Sequence, residues 1–303
     1  MLPILDFSCF LQSPNSEDAA EFCKQLVQTC HESGFFYLTG HGIDTRQNDD
    51  LIAMARQFFA LPEEDRRAIA IGKSAQFRGY TILGDEVTQG KSDWREQIDI
   101  GPEEPALVLG EKDPSWRKLI GPNQWPEAIP EMPMTVLNWA QRMSEVSTEL
   151  FRALAIGLGH PYDYFDHLMT PNPYFRIKIS RYPAQDNPQN AQQGLGLHHD
   201  SGLFTFIMQN EVTGLQVERD GKLQTIEPIA GAFIVNLGEM FQIASSGYLK
   251  ATKHQVVSPA VGAERISIAY FMNPRLDAVF QPIPLLAEMA AKTNSGQNDD
   301  PND

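Results

Sequence analysis

Residues 196 to 202 read Gly-Leu-His-His-Asp-Ser-Gly, and a further histidine, His254, follows fifty-four residues after Asp200. On a β-strand, side chains two apart leave the same face, so His198 and Asp200 point together while His199 points outward. With His254 brought round on another strand, two imidazoles and one carboxylate would hold one side of a metal ion. That facial set leaves the opposite coordination positions open, as non-haem Fe(II) oxygen chemistry requires. Arg265-Ile266-Ser267 repeats the two-residue spacing. A planar guanidinium and a hydroxyl on one strand face are suited to gripping a carboxylate. The other histidines with no carboxylate partner on a strand, His31, His41, His160 and His167, are expected to cap elements or lie at the surface. A zinc hydrolase on the same ligands would need an adjacent general base, and the sequence offers none.

This parity holds only if the flanking segments are strands. Arg176 to Tyr182 alternates polar and apolar residues, and Leu203 to Met208 is a short apolar run. Gln216 to Gln224 carries Asp220-Gly221 between two strand-like stretches, a hairpin signal. Ala232 to Asn236, His254 to Val257 and Arg265 to Phe271 add further strands. Short strands at even spacing with no helices between them predict an antiparallel barrel or jelly roll.

The first half reads as mostly helical. Asp18 and Glu21 form a capping-box pair before Phe22, Leu26 and Cys30, which recur at helical spacing until Gly34. Phe35 to Leu38 is a strand, Asp44 opens a second helix, and Pro62-Glu63-Glu64-Asp65 opens a third. Residues 72–130 read as loops with short strands, and Pro133 to Gly157 as the longest helix, its apolar face against a sheet. The predicted fold class is α+β: a double-stranded β-helix (jelly-roll) core flanked by helices, with a mostly helical N-terminal region. Residues 1–130 form that region, packed on the core; 131–290 form the core with its preceding helix; 291–303 form a disordered acidic tail.

Composition narrows the function classes. The net charge of −15 repels phosphate backbones, so no nucleic-acid partner is expected. Apolar residues make up 42% of the chain, enough for a sizeable core. No window approaches the about 20 apolar residues that span a bilayer, and the N-terminus lacks a secretory signal pattern. Cys9, Cys23 and Cys30 read as small core hydrophobes in a reducing compartment. These features predict a cytoplasmic protein acting on a small molecule, with the oligomeric state open and a monomer favoured.

Longer motifs surround these residues. Gly196 to Thr205, continuing through Gln209, Val212 and Gly214-Leu215-Gln216-Val217, resembles the isopenicillin N synthase-like branch of the 2-oxoglutarate/Fe(II)-dependent dioxygenase superfamily. Asn236 to Met240, Ser246-Gly247 and Lys250 to Val257 resemble that family's second-histidine segment, and Arg265 to Phe271 its Arg-x-Ser strand. Upstream, Gly34 to Leu38 with His41-Gly42-Ile43, Phe58-Phe59 with Leu61-Pro62, Arg78-Gly79-Tyr80 and Asp99-Ile100-Gly101 also fit.

The resemblance spans about residues 2 to 275. It implies Fe(II) on His198, Asp200 and His254, O2 as oxidant, and 2-oxoglutarate held by Arg265, Ser267 and Tyr182. It implies decarboxylation of 2-oxoglutarate to succinate and CO2 as a small molecule is hydroxylated, desaturated or cyclised. No catalytic residue beyond the metal ligands is expected. Arg78, Tyr80 and Phe271 are candidate substrate contacts, while Trp94 and Arg95 are expected to be structural. His199 departs from the family, which usually has Thr there, and is expected to face outward. Isopenicillin N synthase itself keeps the triad and Arg-x-Ser without using 2-oxoglutarate, so that type remains an alternative. A non-catalytic jelly-roll binding module is a second.

Overall fold

The structure is a computed structural model that describes residues 1–171, 173–184 and 193–293. In the first half the strands are β1 (Ile4–Asp6), β2 (Phe35–Thr39), β3 (Gly79–Thr81), β4 (Val87–Thr88), β5 (Lys91–Ser92) and β6 (Glu96–Ile100). In the second they are β7 (Tyr174–Tyr182), β8 (Gln193–His198), β9 (Phe204–Gln209), β10 (Leu215–Arg219), β11 (Lys222–Thr225), β12 (Phe233–Leu237), β13 (His254–Val257) and β14 (Arg265–Asn273). An eight-stranded sheet in the order β1-β2-β12-β9-β14-β7-β6-β3 stacks on a four-stranded sheet in the order β11-β10-β13-β8. The two sheets are the jelly roll. The β10–β11 hairpin turns on Asp220 and Gly221, both at positive φ, as its Asp-Gly pair predicts.

Alternation decides what each strand gives to which side. On β14, Ile266, Ile268, Tyr270 and Met272 join the core beneath the helices, which leaves Arg265, Ser267, Ala269 and Phe271 for the interior of the roll. On β7, Ile177 and Ile179 enter that core while Lys178, Ser180 and Tyr182 face inward. A smaller apolar cluster, including Phe35, Tyr37, Leu215 and Val256, joins the two sheets on the inside. Around the larger sheet lie α1 (Ser8–Gln12), α2 (Glu17–Glu32), α3 (Thr45–Phe59), α4 (Glu63–Ala68), α5 (Met132–Gly157), α6 (Asp166–Met169), α7 (Glu239–Ala244) and α8 (Ala287–Ala290). The long α5 packs on α2, α3 and β14, burying Trp139, Met143, Leu150 and Leu154. Each such large apolar side chain contributes about 1.5–3 kcal/mol.

Three expectations change. Ser16, not Asp18, caps α2: its hydroxyl accepts from the Ala19 amide at 3.1 Å, and Asp18 falls in the first turn, where the helix dipole favours it. The strands expected within the mostly helical first half join the large sheet: β1, β2, β3 and β6 are members of it, so the sheet runs across residue 130. A short helix, α7, interrupts the strands between β12 and β13. His41 is neither a cap nor at the surface: it is buried, accepting at Nδ1 from the Ile43 amide at 3.1 Å and facing the Gly231 carbonyl with Nε2 at 3.0 Å. Of the predicted tail, residues 294–303 lie outside the described residues.

Candidate active site

β8 and β13 pair antiparallel with His198 opposite His254, so backbone register alone brings the two imidazoles together. Asp200 stands just past the end of β8, and its loop is pinned by α7: the Glu239 amide donates to the Asp200 carbonyl at 2.7 Å. A β-carbon on Gly238 would sit 2.3 Å from the Gly202 carbonyl oxygen, so only glycine permits this approach. One ligand atom from each of His198, Asp200 and His254 falls within 4.8 Å of the other two. Among the described residues this is the one group of three metal-binding side chains so arranged.

The surroundings fix how each ligand presents itself. His198 Nδ1 lies 2.8 Å from the Gly196 carbonyl, and His254 Nδ1 lies 3.2 Å from the Thr252 carbonyl. A carbonyl can only accept, so both Nδ1 atoms carry the hydrogen and both Nε2 lone pairs are free for a metal. These Nε2 atoms stand 3.6 and 3.8 Å from Asp200 Oδ1. Asp200 Oδ2 is occupied, accepting from the Thr205 hydroxyl at 2.6 Å and the Asn236 amide at 2.7 Å. Burial pushes the His254 pKa down to about 4, with Asp200 opposing the shift, so the imidazole is neutral and ligand-ready at neutral pH. Burial would raise the Asp200 pKa, but the neighbouring histidines and the Asn236 hydrogen bond hold it below the usual carboxylate range.

A cavity of about 50 Å³ opens on the triad, and Arg265, Ser267 and Tyr182 lie on its wall. Arg265 is 1% exposed; its Nη2 donates to Gln209 Oε1, while Nε and Nη1 have no partner. Its guanidinium lies 5.0 Å over the Tyr182 ring. An unpaired buried guanidinium is costly, and a bound carboxylate would satisfy it. The donors present therefore fit both groups the sequence implied: a divalent metal on the triad and a dicarboxylate reaching from it to Arg265.

This inner space adjoins a cavity of about 760 Å³, a size typical of small-ligand sites. His198, Asp200, Arg95, Lys178, Leu195 and Phe271 line both. Phe271 and Arg78 lie on the cavity wall. Tyr80 does not: its hydroxyl bonds to Glu96, beside Arg66, and it lines neither space. Its strand, β3, is the sheet edge next to β6, which places the ring under α3 against Phe58.

His199 departs from expectation. β8 ends at His198, so strand alternation no longer governs the next side chain, and His199 turns onto the larger cavity, 3.8 Å from Glu239. Arg95 also exceeds its expected structural role by lining both spaces. Sequence reasoning gave no role to Thr205, Asn236, Gln209 or Lys178. The signal for Asn236 was available: a polar residue inside the apolar strand Phe233–Leu237 needs a buried partner.

Comparison with known proteins agrees with this geometry. Residues 171–274 match the 2OG-Fe(II) oxygenase superfamily, and residues 2–128 match the family described as non-haem dioxygenase in morphine synthesis N-terminal. The chain is 35% identical over 295 residues to the 2-oxoglutarate-dependent dioxygenase frbJ of Dothideomycetidae sp., covering 96% of this chain and 78% of that one. It is 32% identical to a homoarginine-6-hydroxylase of Arabidopsis thaliana, covering 94% and 88%. A full-length Neurospora crassa protein solved in complex with alpha-KG and thymine superposes with a TM-score of 0.78 at 26% identity, covering 95% and 91%. The chain belongs to the 2-oxoglutarate/Fe(II) oxygenase superfamily, in its isopenicillin N synthase-like clade. It is a 2-oxoglutarate-dependent dioxygenase whose cofactors are Fe(II) and 2-oxoglutarate.

Proposed function

We propose that His198, Asp200 and His254 hold the Fe(II), that Arg265, Ser267 and Tyr182 hold the distal carboxylate of 2-oxoglutarate, and that a small-molecule substrate occupies the larger cavity. The observation that carries this reading is Arg265, buried with two unpaired donors on the wall of the triad's cavity. When bound, the iron would supply oxygen activation coupled to the loss of CO2 from 2-oxoglutarate, leaving succinate. The protein's own residues do the rest. Thr205 and Asn236 hold Asp200 with Oδ1 toward the histidines. Gln209 and Tyr182 fix the Arg265 fork before a ligand arrives, so little freedom is lost on binding. The walls keep bulk water from the reacting carbon, and Phe271, between the two spaces, separates cosubstrate from substrate. The outcome at that carbon is hydroxylation, desaturation or ring closure. The three free cysteines, two of them buried, support a reducing, cytoplasmic setting.

Anaerobic addition of Fe(II) and then 2-oxoglutarate should produce a metal-to-ligand charge-transfer band, and air should then yield succinate and CO2 in equal amounts. Iron binding with no band would overturn the cosubstrate assignment and leave the metal assignment standing.

A further inference from the structure

Five basic side chains, Arg78, Arg95, Arg176, Lys178 and Arg275, line the larger cavity of a chain whose net charge is −15. Three have carboxylate partners at close range. Arg176 pairs with Asp99 at 2.6 Å, Arg275 with Asp277 at 2.9 Å, and Arg95 with Glu86 at 3.3 Å. Lys178 and Arg78 differ. The Lys178 ammonium comes no nearer than 3.8 Å to Asp99 and 3.9 Å to Glu86. Both acids are committed elsewhere, Asp99 to Arg176 and Gln97, Glu86 to Arg95 and Gln97.

Arg78 is 1% exposed and has no carboxylate partner among the described residues. Its guanidinium lies where a β-carbon on Gly101 would stand, 2.3 Å from Nη2, and donates to the Gln76 and Leu119 carbonyls and the Tyr174 hydroxyl. Only Nε is left without a partner, so Arg78 supplies charge and a single spare donor. Lys178 is the reverse, an ammonium with its hydrogens uncommitted, at the junction of the two cavities.

The charges around the cavity nearly cancel. Glu86, Asp93 and Asp99 balance Arg95, Arg176 and Lys178, and Asp277 balances Arg275. On the assignment proposed above, Fe(II) with Asp200 carries one positive charge, and 2-oxoglutarate with Arg265 carries one negative. Glu239, beside His199, is nearly half exposed and left to solvent, and Arg78 remains, one buried positive charge in a partly apolar space. We propose that the substrate is a monoanion, a small carboxylic acid whose carboxylate is received by the Lys178 ammonium within the field of Arg78. Phe271, Leu195 and Met240 would face the rest of the molecule. This inference rests on the metal and cosubstrate assignment above.

The test uses the Fe(II)·2-oxoglutarate holoenzyme under argon, with phenylacetate, 3-phenylpropanoate and octanoate as probes and the corresponding primary amides as neutral controls. Binding is read from perturbation of the charge-transfer band and from the melting temperature. The acids should bind and the amides should not. Lys178→Met should weaken the acids by about tenfold or more, and Lys178→Arg should restore part of that loss. The 2-oxoglutarate titration of Lys178→Met should stay within about threefold of the parent, which also shows that the variant is folded. Equal binding of acids and amides, or of neither, would overturn the inference. A large loss of 2-oxoglutarate affinity in Lys178→Met would overturn it too, by assigning the lysine to the cosubstrate. Absence of the charge-transfer band in the parent protein is a different failure, that of the cosubstrate assignment itself.

Discussion

The inner and outer ends of the cavity are built on opposite principles. At the inner end almost every polar atom has its orientation fixed before a ligand arrives. Both Nδ1 atoms face carbonyls, Asp200 Oδ2 is doubly bonded to neighbours, and Arg265 is held by Gln209. The atoms that would meet metal and cosubstrate, both Nε2 lone pairs and Arg265 Nε and Nη1, are left open. At the outer end, apolar side chains from several elements mix with cations, and Lys178 keeps its hydrogens uncommitted. The inner end is preorganised for one pair of partners, as catalysis requires. The outer end is a surface on which substrate choice can vary without disturbing the metal.

The sharpest way to break this contrast is at the metal. Asp200→Ala should lower bound iron from about one per chain to near zero and abolish succinate formation, measured by metal analysis and 2-oxoglutarate turnover. Full iron retention would mean that Asp200 is not a ligand.

Arg265→Leu comes next. Losing a buried charge partner costs roughly 2–5 kcal/mol, so 2-oxoglutarate should bind about 30-fold more weakly or worse, with iron stoichiometry unchanged. A charge-transfer titration within threefold of the parent would remove Arg265 from the clamp.

Asn236→Ala should weaken iron by about 10–100-fold, because it frees a ligand that the second layer holds in place. Competition with a chelator measures this, and unchanged affinity would show that the inner end is less preorganised than described.

Acid should undo the same region in the metal-free protein. Burial holds the folded His254 pKa near 4, below its ordinary 6.5, so the unfolded chain binds the proton more readily between those values. Stability present above about pH 6.5 is then lost as pH falls toward 4. The lowered carboxyl of Asp200 extends the loss to lower pH. Melting temperature against pH checks this; a flat profile from 7 to 4 would contradict it.

The smallest effect on activity belongs to Tyr80→Phe. Its hydroxyl serves Glu96 and Arg66, away from both cavities, so kcat and KM should hold within about twofold while urea unfolding shows a loss of about 1–2 kcal/mol. A selective rise in KM would return Tyr80 to the substrate site.

Local spacing made the inner end legible. Arg265 and Ser267 share a face of β14 because alternation is a property of any strand, and the apolar partners Ile266 and Ile268 fix which face is inside. The Asp-Gly hairpin and the Asp44 cap were readable for the same reason: the residues concerned are neighbours in the chain. His199 was misread because the chain leaves the strand at His198, and parity carries no information past a strand's end.

The sequence by itself determined the jelly-roll strands and the shared face of Arg265 and Ser267, which follow from periodicity, while the link from His198 and Asp200 to the distant His254 came from the motifs around them. Tertiary structure alone decided what those groups face. It set His198 opposite His254 and anchored Asp200 on Thr205 and Asn236. It also moved Tyr80 out of the cavity and brought Lys178 and Arg78, a hundred residues apart in the chain, to the lining of one cavity. Contacts of that kind depend on which strands pair and which loops fold over them, and no local pattern of residue types encodes the distance between two distant side chains.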